Sequence, residues 1–237
     1  MLNSIRRLSP ISVATGACAL GLAYLLKAFY SRAGAGELLW ILAPSAWVAR
    51  FAGGIDLVYE QGAGFISHAH HMVVGPACAG VNFLVTAFLC LYFSFTKHFS
   101  NKPGWLAASA LIAFGATIAA NSLRIFLSAH LWSADIYGPW MTPEEMHRLA
   151  GTVIYYASLL ALYFAIESRL GARTSSMAPL FWYVGISLGV PLAGRIVAQG
   201  TPGFASHAAW VMSIALVLTA AVKILPFVLR NRIHLRP

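Results

Sequence analysis

Long runs of apolar residues alternate with short polar segments along this chain. An α-helix rises about 1.5 Å per residue, so about 20 apolar residues cross the roughly 30 Å hydrocarbon core of a bilayer. A segment in lipid must satisfy its own backbone hydrogen bonds, and continuous rather than alternating runs indicate helices. The sequence therefore predicts an all-α, polytopic membrane bundle. Six runs approach or reach the spanning length: 11–30, 72–96, 104–132, 147–168, 178–198 and 208–229.

Two segments after the first run do not fit this pattern. Residues 38–52 are apolar but too short to span comfortably, with Pro44 in the middle. Tryptophans in this segment suit the headgroup level, so we predict an interfacial or re-entrant segment. Residues 53–71 contain several glycines and three histidines, and we predict an irregular loop. The first run resembles a retained signal-anchor, and short linkers predict one domain over 1–237, in which 178–229 adds two spans.

The composition supports a membrane protein. Hydrophobic residues make up 59% of the chain and charged residues 10%, with a mean hydropathy of +0.72. A soluble domain keeps about a quarter of its residues charged, so a water-soluble fold is excluded. The net charge of +9 lies in short clusters between the apolar runs, which argues against a nucleic-acid partner. Three cysteines without paired spacing exclude a disulfide framework.

The basic residues predict how the bundle is oriented, because cytoplasmic loops carry an excess of Lys and Arg. The 133–146 and 199–207 linkers contain neither and are predicted to face outward. Six spans then place both termini in the cytoplasm, provided that 38–52 does not cross. Lys27 and Arg32 leave open a crossing 38–52 segment with the N-terminus outside. The cytoplasmic side is marked by Arg6, Arg7, Lys97, Lys102, Arg169, Arg173, Arg230, Arg232 and Arg236.

Three polar residues in different runs share one predicted depth. Cys78, Arg124 and His147 each lie about 20 residues, or roughly 30 Å of helix, from the cytoplasmic end of their runs. This arithmetic places all three at the outer boundary of the membrane, where water reaches. Ionisable residues in apolar runs are costly and commonly functional. The three residues are therefore a candidate site.

A thiol, a guanidinium and an imidazole together are equipped for nucleophilic catalysis. The thiolate is the reactive form of Cys78, and a nearby cation favours it. His147 can protonate a leaving amine or activate an incoming nucleophile. Arg124 cannot act as a base, which suits it to pairing with the thiolate or holding an oxyanion. Asn121 lies on the same helix face and can orient Arg124 or a substrate carbonyl.

Each of these residues also has a purely structural interpretation. Cys78 can be a packing residue, and Arg124 can extend to the headgroups from a helix end. His147 can be an interfacial residue, with the neighbouring Arg148 as a competitor for its role. Asn121 can form a hydrogen bond between helices. The residue types alone leave both interpretations open.

Three short motifs favour the catalytic interpretation. The stretch Pro76–Phe83 (PACAGVNF) resembles the nucleophile motif of the exosortase/archaeosortase family, a Cys followed by a small residue and Gly. Asn121–Ile125 (NSLRI) resembles the Asn-x-x-Arg motif of that family. Met146–Gly151 (MHRLAG) resembles its third motif, a His shortly before a Gly at a helix start. The motifs follow the family's order over residues 38–168, and the first looks closest to the exosortase K branch.

The resemblance implies a membrane-embedded cysteine protease and transpeptidase. Family members are understood to act at the outer face of the prokaryotic plasma membrane on exported proteins. Their substrates carry a C-terminal sorting signal, which is a short motif, a transmembrane helix and a basic tail. Exported proteins of this kind and membrane lipids are the implied partners. Hydrolysis and transfer to an extracellular acceptor both stay open.

The resemblance also implies a role for each matching residue. Cys78 would be the nucleophile, Arg124 the thiolate partner or oxyanion stabiliser, and His147 the acid/base. Asn82 and Arg148 lie within the same motifs and are candidates for support or substrate binding. The chain departs from many members in having Ala79 in place of Ser, which this chemistry should tolerate.

Two other classes compete with the protease. Arg195 reaches the outer boundary by the same arithmetic, and with Arg124 it would suit a transporter or a protein that binds anionic lipid. Arg195 can equally dock a substrate or extend to the headgroups. The inverted repeats and broken helices of transporters are not evident in the sequence.

The second competing class is a metal protein. His68 and His70 alternate as on one side of a strand, and the further ligands would be His71 with His130 or His207. Zinc sites need three or four ligands in fixed geometry, whereas a cluster in a glycine-containing loop is commonly solvated. We predict neither a metal nor a cofactor.

Overall fold

The structure is a computed structural model that describes residues 9–132, 142–172, 174–189, 192 and 204–233. It is mainly helical, with one small antiparallel sheet. The helices are α1 (Pro10–Tyr30), α2 (Leu39–Gly53), α3 (Val81–Phe95), α4 (Lys102–Trp132), α5 (Pro143–Leu170), α6 (Ala178–Val184) and α7 (Phe204–Ile233). The strands are β1 (Val58–Glu60), β2 (Gly64–Ser67) and β3 (Met72–Val74). Short 3₁₀ turns, Pro76–Cys78 and Thr96–His98, flank α3, and a π-helical turn, Gly185–Gly189, continues α6.

Within the described residues, five helices are long and apolar enough to cross a membrane. A shorter apolar helix, Ala178–Gly189, begins the predicted 178–198 run, and the rest of that run, apart from Leu192, lies outside the described residues. A mainly helical, membrane-type bundle is therefore confirmed. The five helices are Pro10–Tyr30, Pro76–His98, Lys102–Leu131, Glu145–Leu170 and Ala205–Ile224.

The prediction of an irregular loop at residues 53–71 is wrong. Gly53 ends α2, and residues 58–74 form a β-meander in which β2 pairs antiparallel with both β1 and β3. Short runs of β-branched and aromatic residues favour strands, and the glycines between them supply the turns. Gly64 has a φ of 113°, and a Cβ there would lie 2.5 Å from the carbonyl oxygen of Val74. Glycine at this position therefore lets β2 approach β3.

The same sheet corrects the start of the second apolar run. Residues 72–96 are predicted as one helix, but β3 occupies the first three of them and α3 begins only at Val81. An apolar run does not by itself distinguish a buried strand from a helix. Cys78 consequently lies in the 3₁₀ turn with which the candidate span Pro76–His98 begins, and not within the α-helix itself.

Helix α3 is the centre of the bundle. In an apolar 18-residue stretch of its span, 78% of the residues are buried, against 17–39% in the corresponding stretches of the other candidate spans. The Tyr92 hydroxyl donates to Thr15 Oγ1 of α1 at 2.7 Å, and Trp105 Nε1 of α4 donates to the Tyr92 carbonyl at 3.3 Å. Helices α1 and α4 thus pack on α3 near its end, and α3 fixes the positions of the helices around the cavity described below.

Helix α2 packs along α4 in the same direction. Trp40 stacks on Phe114 with ring centroids 5.8 Å apart, and Ser122 Oγ donates to the Ser45 carbonyl at 3.0 Å. A Cβ on Gly53, at the other end of α2, would lie 2.6 Å from the Phe126 ring. The predicted 38–52 segment is therefore a short helix that follows α4 from Phe114 to Phe126.

Candidate active site

A cavity of about 460 Å³ lies between α4, α5 and the segment from β3 to α3. The structure brings Cys78, Arg124 and His147 together on its wall, although they come from three different parts of the chain. Asn121 and Arg148 also line it. The complete wall is formed by His71, Met72, Val73, Val74, Cys78, Asn121, Arg124, Ile125, Ser128, His147 and Arg148.

Helices α4 and α5 run antiparallel, and each brings one row of side chains to the site. Residues three or four positions apart lie on one helix face. Hydrogen bonds connect the two rows in reverse order, from the end of the α4 row to the start of the α5 row. The rows are Asn121, Arg124 and Ser128 on α4, and His147, Gly151 and Tyr155 on α5.

A capping box fixes where α5 begins. The Glu145 N–H donates to Thr142 Oγ1 at 3.2 Å, and the Thr142 N–H donates to Glu145 Oε2 at 2.9 Å. Pro143 occupies the first turn, where its missing N–H is not needed. This start places His147 in the second turn, and therefore sets its register opposite α4.

The hydrogen bonds of His147 define its protonation. Arg124 Nη2 lies 2.6 Å from His147 Nε2, and Ser128 Oγ lies 2.9 Å from His147 Nδ1. A guanidinium can only donate, so Nε2 accepts and carries no proton. Nδ1 then carries the proton and donates to Ser128. His147 is therefore a neutral imidazole held at both ring nitrogens.

Arg124 is held from two sides. Its Nη1 donates to the Tyr155 hydroxyl at 3.3 Å while its Nη2 donates to His147. The guanidinium carbon lies 5.5 Å from the centroid of the Tyr155 ring, within the range of a cation–π contact. A Cβ on Gly151 would lie 2.9 Å from Arg124 Nε, so the absence of a side chain there makes room for the guanidinium.

Asn121 and Tyr155 continue this network. The Tyr155 hydroxyl donates to Asn121 Oδ1 at 2.9 Å, and the Tyr155 ring stacks on Phe83 of α3 with centroids 5.1 Å apart. Asn121 is fully buried, and its Nδ2 has no hydrogen-bond partner among the described residues. An unpaired buried donor costs about 1–3 kcal/mol, which an acceptor on a bound molecule would recover. Within the described residues the network thus leaves two donors unpaired, Asn121 Nδ2 and Arg124 Nε, and Asn121 Nδ2 is our candidate donor to a ligand.

Cys78 is half-buried at the end of the 3₁₀ turn that precedes α3. The turn is tied to α1, because the Tyr30 hydroxyl donates to the Pro76 carbonyl at 3.2 Å. Gly80 follows with a φ of 72°, and a Cβ there would lie 3.3 Å from the Tyr155 hydroxyl. Gly80 is also the N-cap of α3 and offers no side chain to cap it. Cys78 therefore lies two residues before the N-cap of α3, on the wall of the cavity that Arg124 also lines.

The other predicted site residues are more dispersed. Arg148 is exposed at the cavity, next to His147 in sequence but without its hydrogen bonds to Arg124 and Ser128. Asn82 does not line the cavity, and its Oδ1 accepts from Lys27 Nζ of α1 at 2.5 Å. Asn82 therefore connects α1 to the start of α3. Arg195 lies outside the described residues.

The histidines considered for a metal do not form a ligand set among the described residues. His68 and His70 lie in the turn between β2 and β3, so the prediction of both on one side of a strand is wrong. His68 Nε2 lies 3.4 Å from Glu60 Oε1, and His70 Nδ1 forms a hydrogen bond of 3.0 Å with Ser67 Oγ. The His70 ring lies 6.3 Å from the ring of His130.

Sequence reasoning missed Ser128 and Tyr155. Both were detectable in principle, because Ser128 continues the α4 face of Asn121 and Arg124, and Tyr155 continues the α5 face of His147. A Ser or Tyr in an apolar helix is common, however, and only contact with Arg124 or His147 distinguishes these two from the others.

The chain matches no protein-family model, no curated protein and no solved structure.

Proposed function

We propose that this chain is a membrane-embedded cysteine peptidase or transpeptidase of the exosortase type. It would cleave C-terminal sorting signals of exported proteins at the outer face of the membrane. The observation that carries the proposal is the single cavity that holds Cys78 together with Arg124 and a neutral His147. A nucleophile, a base and a fixed cation then surround one volume in which a peptide carbonyl can lie.

In the first step, Cys78 transfers its thiol proton to His147 Nε2, and the thiolate attacks the scissile carbonyl carbon. A C–S bond forms, and the carbonyl electron pair moves to oxygen. The hydrogen bond that Nδ1 donates to Ser128 Oγ holds the imidazole in the tautomer whose Nε2 can accept this proton. In the resting site the single lone pair of Nε2 accepts from Arg124 Nη2, so this bond must break before Nε2 takes the proton. The freed Nη2 then donates to the oxyanion while Tyr155 retains Nη1.

In the second step, the tetrahedral intermediate collapses and the C–N bond breaks. The leaving amine takes the proton from His147, and the N-terminal part of the substrate stays on Cys78 as a thioester. Water or an acceptor nucleophile then attacks the thioester and gives its proton to His147. The Cys78 thiolate leaves and recovers that proton, which returns the site to its starting state.

The membrane arrangement that we propose has six spans, with both termini in the cytoplasm. The Tyr30 hydroxyl at the end of α1 contacts Pro76, and Gly53 at the end of α2 contacts Phe126, near Arg124 in sequence. The chain between these two points therefore leaves the cavity end of the bundle and returns to it. Helix α2 follows only about 12 residues of α4, roughly 18 Å. These contacts support a re-entrant α2 that does not cross.

A thioester trap tests the proposal. The purified chain in lipid nanodiscs would be mixed with an exported protein encoded nearby that ends in a short motif, an apolar helix and a basic tail. We expect a covalent adduct between the chain and the N-terminal part of that protein. Neutral hydroxylamine should release it, and peptide mapping should locate it at Cys78. Cleavage without any adduct on Cys78, or an adduct elsewhere, would contradict the proposed mechanism.

Replacement of Gly151 by alanine is expected to reduce processing at least about tenfold, because a new methyl group 2.9 Å from Arg124 Nε must displace the guanidinium. Gly115→Ala on α4 is the matched control, since a Cβ there meets nothing within 4 Å. Both chains should reach the membrane in equal amounts, and processing is measured by the ratio of cut to uncut substrate. Equal activity in the two variants would mean that the exact position of Arg124 does not matter.

A protein that binds or transports anions is the second candidate, favoured by the two cationic side chains, Arg124 and Arg148, on one cavity. A membrane-impermeant thiol reagent distinguishes the classes. For the peptidase, blocking Cys78 from the outer face stops processing. For the anion carrier, anion uptake into vesicles is the activity, and it should survive Cys78→Ala.

A further inference from the structure

Strand β3 forms one wall of the cavity, and the proposed chemistry makes no use of this strand. The sheet order is β1-β2-β3, so β3 is an edge strand that pairs with β2 on one side. Met72, Val73 and Val74 all line the cavity, together with the preceding His71. Successive side chains of a strand point to opposite faces. Three consecutive lining residues therefore mean that the edge of β3, with its backbone, borders the cavity.

The edge of β3 carries none of the features that commonly prevent an edge strand from pairing with another chain. Exposed edge strands commonly carry a charged residue, a proline or a bulge that prevents pairing with another chain. All three residues of β3 are apolar, and the Val73 side chain is 54% exposed. The edge faces the cavity that also holds Cys78, four residues beyond β3. An extended peptide in this cavity would meet both the unpaired edge and the thiol.

We propose that β3 binds the substrate peptide as an added antiparallel or parallel strand and so delivers the scissile carbonyl to Cys78. The occupant is the extended segment of the sorting signal just before its membrane helix, and the inference thus rests on the proposed function. Three residues of strand span about 10 Å, which matches a short recognition motif. A cavity of about 460 Å³ suits a short peptide and is too small for a folded domain.

Strand addition makes a specific demand on the peptide backbone. Only alternate residues of an edge-paired strand direct their N–H groups to the partner strand, and the residues between them point away. Recognition through the backbone also tolerates varied side chains, with pockets selecting every second one. If the peptide pairs as a strand, a change to its backbone N–H should weaken binding at every second residue. Recognition of side chains alone predicts no such alternation.

The test uses acetyl-tetra-alanine chloromethyl ketone, an electrophilic peptide that alkylates thiols, and four versions of it, each N-methylated at one alanine. The rate of Cys78 alkylation in the full chain is measured by peptide mapping, which separates it from alkylation of the exposed Cys18. Iodoacetamide serves as a reagent that needs no strand. We expect N-methylation at alternate alanines to slow labelling roughly five- to tenfold, the effect of one lost hydrogen bond, and the other positions to change it less than about threefold.

Paired variants of the two edge strands add a second measurement. Val73→Pro in β3 should slow labelling by the unmethylated peptide roughly tenfold and leave the iodoacetamide rate unchanged. Tyr59→Pro in β1 is the matched control, because Tyr59 is 38% exposed on the opposite edge strand. Tyr59 pairs with Phe65, the neighbour of the Val73 partner Ile66, so that the two N–H groups have the same relation to β2. Peptide labelling of the Tyr59→Pro chain should stay within about threefold of the original chain.

The outcomes separate the two proposals. A Cys78 that reacts with iodoacetamide and with all five peptides at one rate overturns strand addition and leaves the proposed function standing. Equal slowing by every N-methyl group, or equal slowing by the two proline variants, also overturns it. A Cys78 that neither reagent labels overturns both proposals.

Discussion

A Cys78→Ala chain is expected to leave a co-expressed substrate entirely full-length while it accumulates in the membrane at the normal level. Removal of the sulfur removes the nucleophile of the proposed mechanism, and loss of the nucleophile costs a cysteine or serine enzyme of this type at least about a thousandfold in rate. The measurement is the fraction of substrate cut, read on an immunoblot beside the amount of the variant. Substrate cut normally by Cys78→Ala would end the peptidase proposal.

The other two cysteines provide the control. Cys18 is exposed on α1 and Cys90 is buried within α3, and neither lines the cavity. Cys18→Ala and Cys90→Ala should both process substrate within about threefold of the original chain, since a small apolar residue replaces a cysteine used for packing. Loss of processing in all three variants would point to a general sensitivity to cysteine replacement and not to catalysis by Cys78.

Arg124→Lys is expected to lower processing about a hundredfold or more, although it preserves the positive charge. The guanidinium donates from two separate nitrogens to Tyr155 and His147, which a lysine ammonium cannot reproduce in the same geometry. Loss of one oxyanion donor alone costs about 10²–10³ in rate. The initial rate of substrate cleavage in nanodiscs measures the effect.

Arg148→Lys is the matched control for that prediction. Arg148 also lines the cavity and is the neighbour of His147, but it is exposed. We expect its rate to stay within about threefold, because an exposed lysine keeps the charge in water. Equal losses in Arg124→Lys and Arg148→Lys would assign the effect to the total charge of the cavity. Equal retention of activity would remove Arg124 from the mechanism.

The network around Arg124 also argues against the interpretation that this side chain only extends to the lipid headgroups. A snorkelling arginine extends its head group into water, whereas the Arg124 head group is held inside by Tyr155 and His147, and its Nε is buried against Gly151. Holding a cation in this way needs several aligned partners. These partners all lie on α5, opposite Arg124 on α4, and together they fix the position of the guanidinium.

The sequence by itself determined the helical part of the structure. A long, continuous apolar run in lipid forms an α-helix, because its backbone N–H and C=O groups must form hydrogen bonds within the segment. For this reason the helices around 11–30, 104–132 and 147–168 could be placed from hydropathy alone. The common depth of Cys78, Arg124 and His147 stays a prediction from helix rise. Local spacing within one helix also put Asn121 beside Arg124.

Only the tertiary structure decided the sheet and the connections across the site. The strands of residues 58–74 are short, and each depends on pairing with a partner that local sequence does not reveal. The tautomer of His147 likewise follows from Arg124 and Ser128, which lie on another helix. A spanning helix depends on the apolar character of one segment, whereas a strand depends on contact with another segment. Therefore the long helices were readable from the sequence, while the strand edge beside the thiol was not.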